Sequence, residues 1–468
     1  MLRLQPLHEP ATVWDGLLPR GVTILPPDLA AIDELLADPA LLAPFRALWQ
    51  ERDLASGRHA EHAGRPTIPM AGYVRLMLVK VRTGWGYETL VREVSDSLHL
   101  RRFCLIALSE PVPDESTVRK LTRRLGPDVV SELIRDVIDL AARERRFRPA
   151  AMRTDSTVVE ADIRYPTDAG LAATGVRLLA GAARRLRQVS EGLTPAVRDR
   201  SRAVGRRLRA MTRTLRRRTG EARTDVLRLT AEAGVLLERS LREARRALER
   251  ARSGLVDRSA PARRAIARLE TLLGHAARVA EQIDKRVRDE RISERLVSFF
   301  DPDARPVRKG KIATPTQFGY VTQLAELTPS TKRGARGLIL PPVTRAGSVH
   351  EDRLLPETLA GLDRLGLRPA EAVFDAGFSV RATRAALADL RSEAFIVGSA
   401  TNRGSRRTRR RLARYRVGCE GRIAHLKREY GAGRSRLRGI DGARIWTGWA
   451  VLAYDIDVAA ALPPRRPR

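Results

Sequence analysis

Cysteine is almost absent from this sequence. Only Cys104 and Cys419 occur among its 468 residues. They form no CxxC motif and have no histidine set beside them, which argues against a disulfide framework and against a cysteine-based zinc site. We expect both to be small residues of the core. The scarcity of cysteine also suits a reducing compartment.

Long apolar runs are missing as well. No run reaches the roughly 18 residues of a membrane-spanning helix, and the first residues do not have the charged, apolar and small-residue regions of a signal peptide. We therefore expect neither a membrane anchor nor export. Hydrophobic residues still make up 43% of the chain, which is enough for a sizeable core, and the length predicts two to four domains.

Acidic residues are few relative to basic ones. Lys and Arg total 87 against 55 Asp and Glu, a formal net charge of +32. Two blocks, residues 201–220 and 401–416, hold eight arginines each and no acid. Such a charge indicates a polyanionic partner, with nucleic acid as the leading candidate and an acidic membrane surface as the alternative.

The N-terminal third of the chain reads as helical. We interpret residues 1–65 as an accessory helical region. Residues 66–150 are predicted to form a small basic helical domain that ends in a linking helix over 128–148. Its segment TVRKLTRRL is typical of a recognition helix, with Asp114 or Ser116 as its cap. The candidate DNA contacts on it are Arg119, Lys120 and Arg123. A packed cap or a dimerisation element explains the same pattern equally well.

The rest of the chain predicts an α/β domain in two pieces. Strand patterns occur at 151–162, 295–301, 317–327, 337–344, 371–375 and 394–400, and helical patterns alternate with the later ones. Between the first two strands, residues 169–294 have helical spacing and only two prolines. We therefore predict one mixed sheet built from 151–168 and 295–460, an all-helical basic insertion over 169–294, and a basic tail over 461–468.

Three carboxylates stand out. Asp155 lies in the first predicted strand, and Asp375 closes the apolar strand AVF, where α/β sheets commonly place ligands. Glu420 follows the second arginine block and shares one edge of a predicted helix with Arg416 and Lys427. From spacing alone, an intrahelical ion-pair ladder is the favoured interpretation of that edge.

Several segments resemble bacterial insertion-sequence transposases. Arg416, Glu420 and Lys427 match the R-(3)-E-(6)-K part of a signature of that family. Similar segments are TDSTVVEADIRYPTD, SFFDPDARPVRKGKIATPTQFGYVTQLAE, VFDAGFS, and the N-terminal block PMAGYVRLMLVKVRTGWGYETLVREVSDSLHLRRF. The ISNCY or IS-five-like branch of the DDE transposases is the nearest match. One departure is Ala413, where the family pattern has a tyrosine; this chain has Tyr415 instead.

The resemblance implies an RNase H-like fold in which Asp155, Asp375 and Glu420 are catalytic and bind two Mg²⁺ ions, with Mn²⁺ as a substitute. It also implies double-stranded DNA, both transposon ends and target, as partner, a homo-oligomer on DNA, no membrane, and a cytoplasmic, nucleoid-associated location. Arg416 and Lys427 suit contact with DNA phosphate. Lys309 and Lys311 in the RKGK segment precede a strand and are further candidate phosphate contacts, although an ordinary charged hairpin turn explains them almost as well.

Two rival functions remain at this point. One is a non-catalytic DNA-binding or architectural protein derived from a transposase, and the other is a nuclease that hydrolyses without strand transfer. His350, Glu351 and Asp352 form an apparent metal cluster, but three adjacent residues point in different directions, and we interpret them as a polar helix-entry loop. Trp446 and Trp449 have the spacing of core residues rather than of base-stacking platforms.

Overall fold

Helices precede the first strand, as the sequence predicts. The computed structural model describes residues 24–56, 68–217, 219–255, 259–308, 316–390 and 392–463. Its first helices are α1 (Pro27–Leu36), α2 (Ala43–Ser56), α3 (Met70–Thr83), α4 (Tyr87–Asp96), α5 (Leu98–Phe103) and α6 (Glu115–Glu144). Residues 1–23 and 57–67 of the predicted accessory region lie outside the described residues.

Local chemistry sets the boundaries of these helices. The stretch from Tyr87 to Phe103 forms two helices, because Ser97 is extended and its hydroxyl caps α5 by accepting from the amide of Leu100. Asp114 caps α6 in the predicted way, accepting from the amide of Ser116 at 2.8 Å. Within α6, Gly126 has a φ of 84° and precedes Pro127. This kink separates TVRKLTRRL from the predicted linking helix.

The strands form one eight-stranded mixed sheet. They are β1 (Ala151–Ala161), β2 (Arg305–Val307), β3 (Gln317–Thr328), β4 (Leu338–Ile339), β5 (Val343–Ala346), β6 (Glu371–Phe374), β7 (Glu393–Ile396) and β8 (Arg434–Ser435). The order is β2-β3-β1-β6-β7, with β4 and β5 on β3 and β8 on β1. β1, β6 and β7 run parallel, whereas β2 and β4 run antiparallel to β3.

Four helices follow β1 before the sheet resumes. They are α7 (Asp168–Val189), α8 (Ser201–Leu215), α9 (Gly220–Arg250), which ends in a π-helical turn, and α10 (Ala260–Val287). Their apolar stripes form one hydrophobic cluster, centred on fully buried residues such as Leu179, Leu237 and Leu269. The helical character predicted for 169–294 is confirmed for the residues described in that range.

The predicted strand over 295–301 is wrong. Leu296 and Phe299 are buried in the helical cluster, and the backbone amide and carbonyl of Leu296 form hydrogen bonds with a side chain. Gln282 accepts from its amide at 2.6 Å and donates to its carbonyl at 3.2 Å. The Gln282 amide thereby satisfies the backbone of Leu296, and no residue of the segment belongs to a strand.

The later elements agree with the sequence. They are α11 (Leu355–Arg364), α12 (Val380–Leu387), α13 (Arg406–Glu429) and α14 (Gly439–Ala461). Trp449 is buried in the core beside Tyr73, with the ring centroids 5.8 Å apart, which confirms its predicted packing role. Cys104 and Cys419 are likewise buried and unbridged, and burial raises the pKa of both thiols.

By their internal contacts the described residues divide into two units. One comprises residues 1–160, 320–345 and 349–468, and the other comprises residues 161–319 and 346–348. The first unit holds the N-terminal helices, most of the sheet and α11–α14, and the second holds α7–α10 and β2. Among the described helices, none has a stretch of the length and hydropathy that a bilayer crossing requires.

Candidate functional site

Two aspartates face each other across neighbouring strands. β1 and β6 pair in parallel with Arg153 opposite Val373, so that Asp155 and Asp375, two residues further along, lie at the same level. Asp155 is 7% exposed, and its Oδ1 accepts from the amide of Ser156 at 2.7 Å. Asp375 lies just past the end of β6, where its Oδ1 accepts from the amide of Gly377 at 2.8 Å.

Glu351 is the third carboxylate at this place. It begins the short 3-10 turn Glu351–Arg353 between β5 and α11. Its side chain accepts a hydrogen bond from the hydroxyl of Ser156. Asp155, Glu351 and Asp375 each contribute one carboxylate oxygen, and these three oxygens lie within 4.8 Å of one another. The sequence predicts only a polar helix-entry loop at Glu351, whereas the structure places its carboxylate beside the two aspartates.

Two contacts hold that turn in place. On one side, Gln323 of β3 donates from Nε2 to the carbonyl oxygen of Glu351 at 3.0 Å, and Thr358 donates to Gln323 Oε1 at 2.7 Å. On the other side, Asp352 Oδ1 accepts from the amide of Ser379 at 3.0 Å. The turn is thereby fixed both to the central sheet and to the segment that follows Asp375.

Arg416 joins the predicted carboxylates. From α13, its Nη2 donates to Asp155 Oδ2 at 2.8 Å and to Asp375 Oδ2 at 3.4 Å. Its Nη1 donates to Glu420, one helical turn further on. Glu420 is thus one guanidinium away from the two aspartates, and its side chain is 62% exposed. The predicted ion-pair edge exists, and it also reaches the sheet.

Burial governs the ionisation of Asp155. Loss of water raises the pKa of its carboxyl above the usual value, and the neighbouring carboxylates of Glu351 and Asp375 act in the same direction. The positive charge of Arg416 and the hydrogen bond from the Ser156 amide act against this rise. Arg416 therefore supplies the positive charge that three crowded acids need.

The donor set fits a hard divalent cation. Mg²⁺ and Mn²⁺ prefer carboxylate oxygens, and Asp155, Glu351 and Asp375 offer three such oxygens close together. Among the described residues, no histidine or cysteine belongs to this cluster. The composition of the site therefore agrees with a magnesium-type centre and not with a zinc site of the nitrogen and sulfur kind.

A buried charged network anchors α13 behind the site. Arg153 of β1 bonds to Glu326 of β3 at 2.6 Å, and Arg422 of α13 bonds to the same carboxylate at 3.0 Å. All three side chains are at most 8% exposed. Arg153 also donates to the carbonyl of Tyr415 at 3.0 Å. Because a lone buried charge is costly, removing one member of this network would loosen α13.

A glycine allows α13 to approach this network. A Cβ on Gly418 would lie only 2.0 Å from Arg153 Nη1. Gly418 therefore leaves room for the Arg153 guanidinium, which could move away from a Cβ only at the expense of its bonds to Glu326 and to the carbonyl of Tyr415.

The predicted DNA contacts have different surroundings. Lys427 donates from Nζ to the carbonyl of Val158 at 2.9 Å and is partly buried, and Arg416 is 14% exposed. Lys309 and Lys311 lie outside the described residues. By contrast Arg119, Lys120 and Arg123 are all exposed on the first part of α6. As DNA contacts, all of these residues stay predictions.

Tyr415 has a structural position. Its ring lies beneath the Arg153 guanidinium, 4.8 Å from it, and its hydroxyl is 2.6 Å from Thr328 Oγ1. Burial raises the pKa of this phenol. Ala413, where the family pattern has a tyrosine, packs against a small apolar cluster that includes Tyr415.

Two segments match known protein families. Residues 29–124 match the transposase domain family DUF772, and residues 334–456 match the transposase DDE domain family. Comparison with curated proteins and comparison with solved structures gave no significant match. The first segment covers the helices before the kink in α6, and the second covers Asp375, Arg416 and Glu420 together with Glu351. Both matches, together with the mixed sheet, support an insertion-sequence transposase of the DDE type.

Proposed function

We propose that this transposase binds the ends of its own insertion sequence, cleaves them, and joins the freed 3′-hydroxyls to target DNA. The observation that carries the proposal is the convergence of Asp155, Glu351 and Asp375 within 4.8 Å in a chain whose matched families are transposases. Three carboxylates from β1, the β5–α11 turn and the end of β6 have no packing role that requires them to meet.

In this proposal the three carboxylates hold Mg²⁺ or Mn²⁺. Two such ions, when bound, would activate the attacking oxygen and stabilise the leaving one in an in-line displacement at phosphorus. The protein's part is to keep the acids ionised, oriented and close. Ser156 orients Asp155 and Glu351 through its amide and its hydroxyl, and Gln323 fixes the turn that carries Glu351.

Arg416 has two possible partners of the same charge, the carboxylates and a DNA phosphate. A guanidinium binds phosphate with paired hydrogen bonds. When a backbone phosphate draws Arg416 away, Glu420 loses its partner and its carboxylate becomes available to a cation. Glu420 is therefore proposed as a ligand of the DNA-bound state, in agreement with its place in the family signature.

The start of α13 supports DNA binding next to these acids. Arg407, Arg409, Arg410 and Arg414 are exposed, and none forms an ion pair with an acid in the part of the chain that the structure describes. Their charge would guide a duplex to the carboxylates and make binding strongly dependent on salt.

The test is cleavage of a duplex that carries the transposon end, in Mg²⁺, by the wild type and by Asp155→Asn and Asp375→Asn. We expect both variants to lose nearly all cleavage while they keep their affinity for the duplex, because each loses one charged oxygen ligand and no DNA contact. Undiminished cleavage by both variants would contradict the assignment.

The rival functions give other outcomes. A nuclease would cut the duplex but would not join a pre-cut end to plasmid. A non-catalytic derivative would bind ends and leave them intact in Mg²⁺ and in Mn²⁺. The homo-oligomer, the domain boundaries and the ISNCY or IS-five-like branch stay predictions.

A further inference from the structure

The exposed side of α8 consists of arginines in a line. Five arginines recur at intervals of four and three residues, which places them on one side of an α-helix. They are Arg202, Arg206, Arg209, Arg213 and Arg216, called the α8 ridge below. All five are exposed. From first to last they span about 21 Å along the helix axis.

The opposite side of α8 explains why the ridge faces outward. Val204 and Met211 are buried, and Leu208 packs partly buried against the same cluster. These positions lie on the reverse of the helix from the ridge, since they are offset by about half a turn. The apolar stripe thereby fixes the rotation of α8 and commits the arginines to the outside.

The stretch that carries the α8 ridge contains no acid, and the nearby Asp199, which precedes α8, interacts with Arg202 at the first position of the ridge. Residues 201–220 contain no Asp or Glu, and within the described ranges none of the five ridge arginines forms an ion pair. Arg213 donates instead to the carbonyl of Arg209. Packing five like charges on one helix face is unfavourable, so the ridge carries a cost that folding does not explain.

Other arginines of the same unit are paired. Arg228 bonds to Glu232 at 2.7 Å, Arg252 bonds to Glu270 at 2.7 Å, and Arg288 is paired with Asp284. These three are about as exposed as arginines of an ordinary solvated surface, at 57–62%. Exposed arginines of this unit can therefore have an acid beside them, and these three pairs provide a matched comparison for the α8 ridge.

Small residues flank the α8 ridge. Ala203, Gly205, Ala210 and Thr212 border it on the two sides. Short side chains leave room for a bulky rod-shaped ligand to reach the guanidinium groups, and guanidinium prefers the paired oxygens of phosphate. A duplex presents such phosphates at close and regular spacing.

We propose that the α8 ridge is a second binding surface for double-stranded DNA that contacts the phosphate backbone without regard to sequence. It rests on the proposed function insofar as the ligand is DNA. It contributes to affinity and not to chemistry, because no carboxylate cluster of the described residues belongs to this unit. Each ridge arginine neutralises one phosphate and releases its counterions.

The experiment compares two triple variants of the full chain. The ridge triple is R206Q/R209Q/R213Q, and the control triple is R228Q/R252Q/R288Q, which removes the same charge from paired arginines. Glutamine is shorter than arginine and uncharged, but it has nearly the same helix propensity. Binding to a 30-base-pair duplex of arbitrary sequence is measured by fluorescence anisotropy between 50 and 200 mM KCl without divalent metal.

We expect the ridge triple to reduce the slope of log affinity against log salt by about 2 to 3, or about 0.9 for each phosphate contact, and to bind about tenfold more weakly at 100 mM KCl. The control triple should change affinity less than about threefold, because paired surface charges contribute little. An unchanged slope in the ridge triple, or equal losses in both triples, would overturn the proposal. Polyglutamate is measured as a second probe in the same assay. If the ridge triple loses affinity for polyglutamate but not for the duplex, the proposal is also overturned, since the partner would then be an acidic protein.

Two further measurements keep the outcome clear. If circular dichroism shows that the ridge triple has lost helix, the single variant R209Q decides, with an expected reduction of about 0.9 in the slope. Cleavage of end DNA by the wild type and by Asp155→Asn separates the two proposals. If the wild type binds and cuts end DNA while the ridge triple keeps the wild-type slope, only the proposal of the ridge surface is contradicted. If cleavage survives in Asp155→Asn, only the proposed chemistry is contradicted.

Discussion

Arg416 contacts three carboxylates at once, and its position explains how acids can be crowded at the end of a sheet. Asp155 and Asp375 share Nη2, and Glu420 binds Nη1. The guanidinium offsets repulsion that would otherwise raise the pKa of Asp155 further. At the scale of single residues, the main question is which glutamate completes the pair of aspartates.

Glutamine substitutions distinguish the two glutamates. We expect Glu351→Gln to lower the affinity for Mn²⁺ in the absence of DNA by roughly 100-fold, the upper end of what the loss of one supporting group at a metal site costs, and to abolish cleavage. Glu420→Gln should leave that affinity nearly unchanged, because its carboxylate is engaged by Arg416, and should impair cleavage alone. Calorimetric titration with Mn²⁺ and the cleavage assay measure the two effects.

Asp352→Asn provides the control, because Asp352 is adjacent to Glu351 and an asparagine Oδ1 can still accept from the amide of Ser379 and hold the turn. It should change Mn²⁺ affinity only slightly. Equal losses of affinity in the Glu351 and Glu420 variants would show that both carboxylates bind the metal before DNA arrives.

The sequence predicted two of the three clustered acids. Asp375 could be placed because an acid just after a buried parallel strand lies at the carboxyl end of that strand, where α/β sheets commonly bind ligands. Asp155 lies within β1, and the resemblance to transposases indicated its role. Glu351 could not be placed, since its position depends on how a short turn folds back onto β3 and β1 through Gln323 and Ser156. No periodicity encodes such a long-range contact. The only available signal was the run of polar residues itself.

At the scale of elements, α13 determines the geometry of the site through its contact with β1. Arg153 of the buried network lies next to Gly418. Arg422 of α13 binds Glu326, the same glutamate that Arg153 binds. The packing of α13 against Arg153 of β1 and the bonds to Glu326 therefore fix where Arg416 and Glu420 lie relative to the aspartates.

Two alanine substitutions on α13 test this dependence. We expect Gly418→Ala to destabilise the protein by about 1–3 kcal/mol, because its Cβ would overlap the Arg153 guanidinium, and to reduce cleavage as α13 shifts. Urea unfolding followed by circular dichroism gives the free energy of unfolding.

Gly421→Ala is the matched control on the same helix. A Cβ there meets nothing within 4 Å, so that helix propensity alone should stabilise the protein by roughly 0.5–1 kcal/mol. Should Gly418→Ala be as stable and as active as Gly421→Ala, close packing of α13 on Arg153 would not be a requirement.

Most elements with clear periodicity were predictable, and the failures have physical causes. β2 and β8 contain three and two residues, too few for any alternation to appear. The predicted strand over 295–301 has the right composition, but Gln282 takes its backbone hydrogen bonds. Side-chain capture of a strand-like segment depends on tertiary contacts that local pattern does not contain.

At the scale of the whole molecule, the two units have hydrophobic clusters of their own. The cluster of α7–α10 contains no residue from the sheet strands, and the cluster of the first unit contains none from α7–α10, among the residues described. Each unit thus has the apolar core that independent stability requires.

Leu237→Ala tests whether the helical unit has its own stability. Leu237 is fully buried in α9, and its truncation should cost about 2–5 kcal/mol. We expect amide hydrogen exchange to accelerate in α7, α9 and α10 and to stay nearly unchanged in α14. Val235→Ala, at an exposed position of the same helix, is the control. Uniform acceleration throughout the chain would indicate a single cooperative unit instead.

The interruption between β1 and β3 also determines the order of events while the chain is being synthesised. The strands that pair with β1, namely β3, β6 and β8, all follow the four helices. After β1 emerges from the ribosome, about 155 residues must be added before β3 begins, roughly 8 to 30 s at ordinary rates of translation. The helices α7–α10 can form during this interval from contacts among themselves. Asp155 meets Asp375 only afterwards, so that a polypeptide terminated before β6 would have the ridge arginines but no carboxylate site.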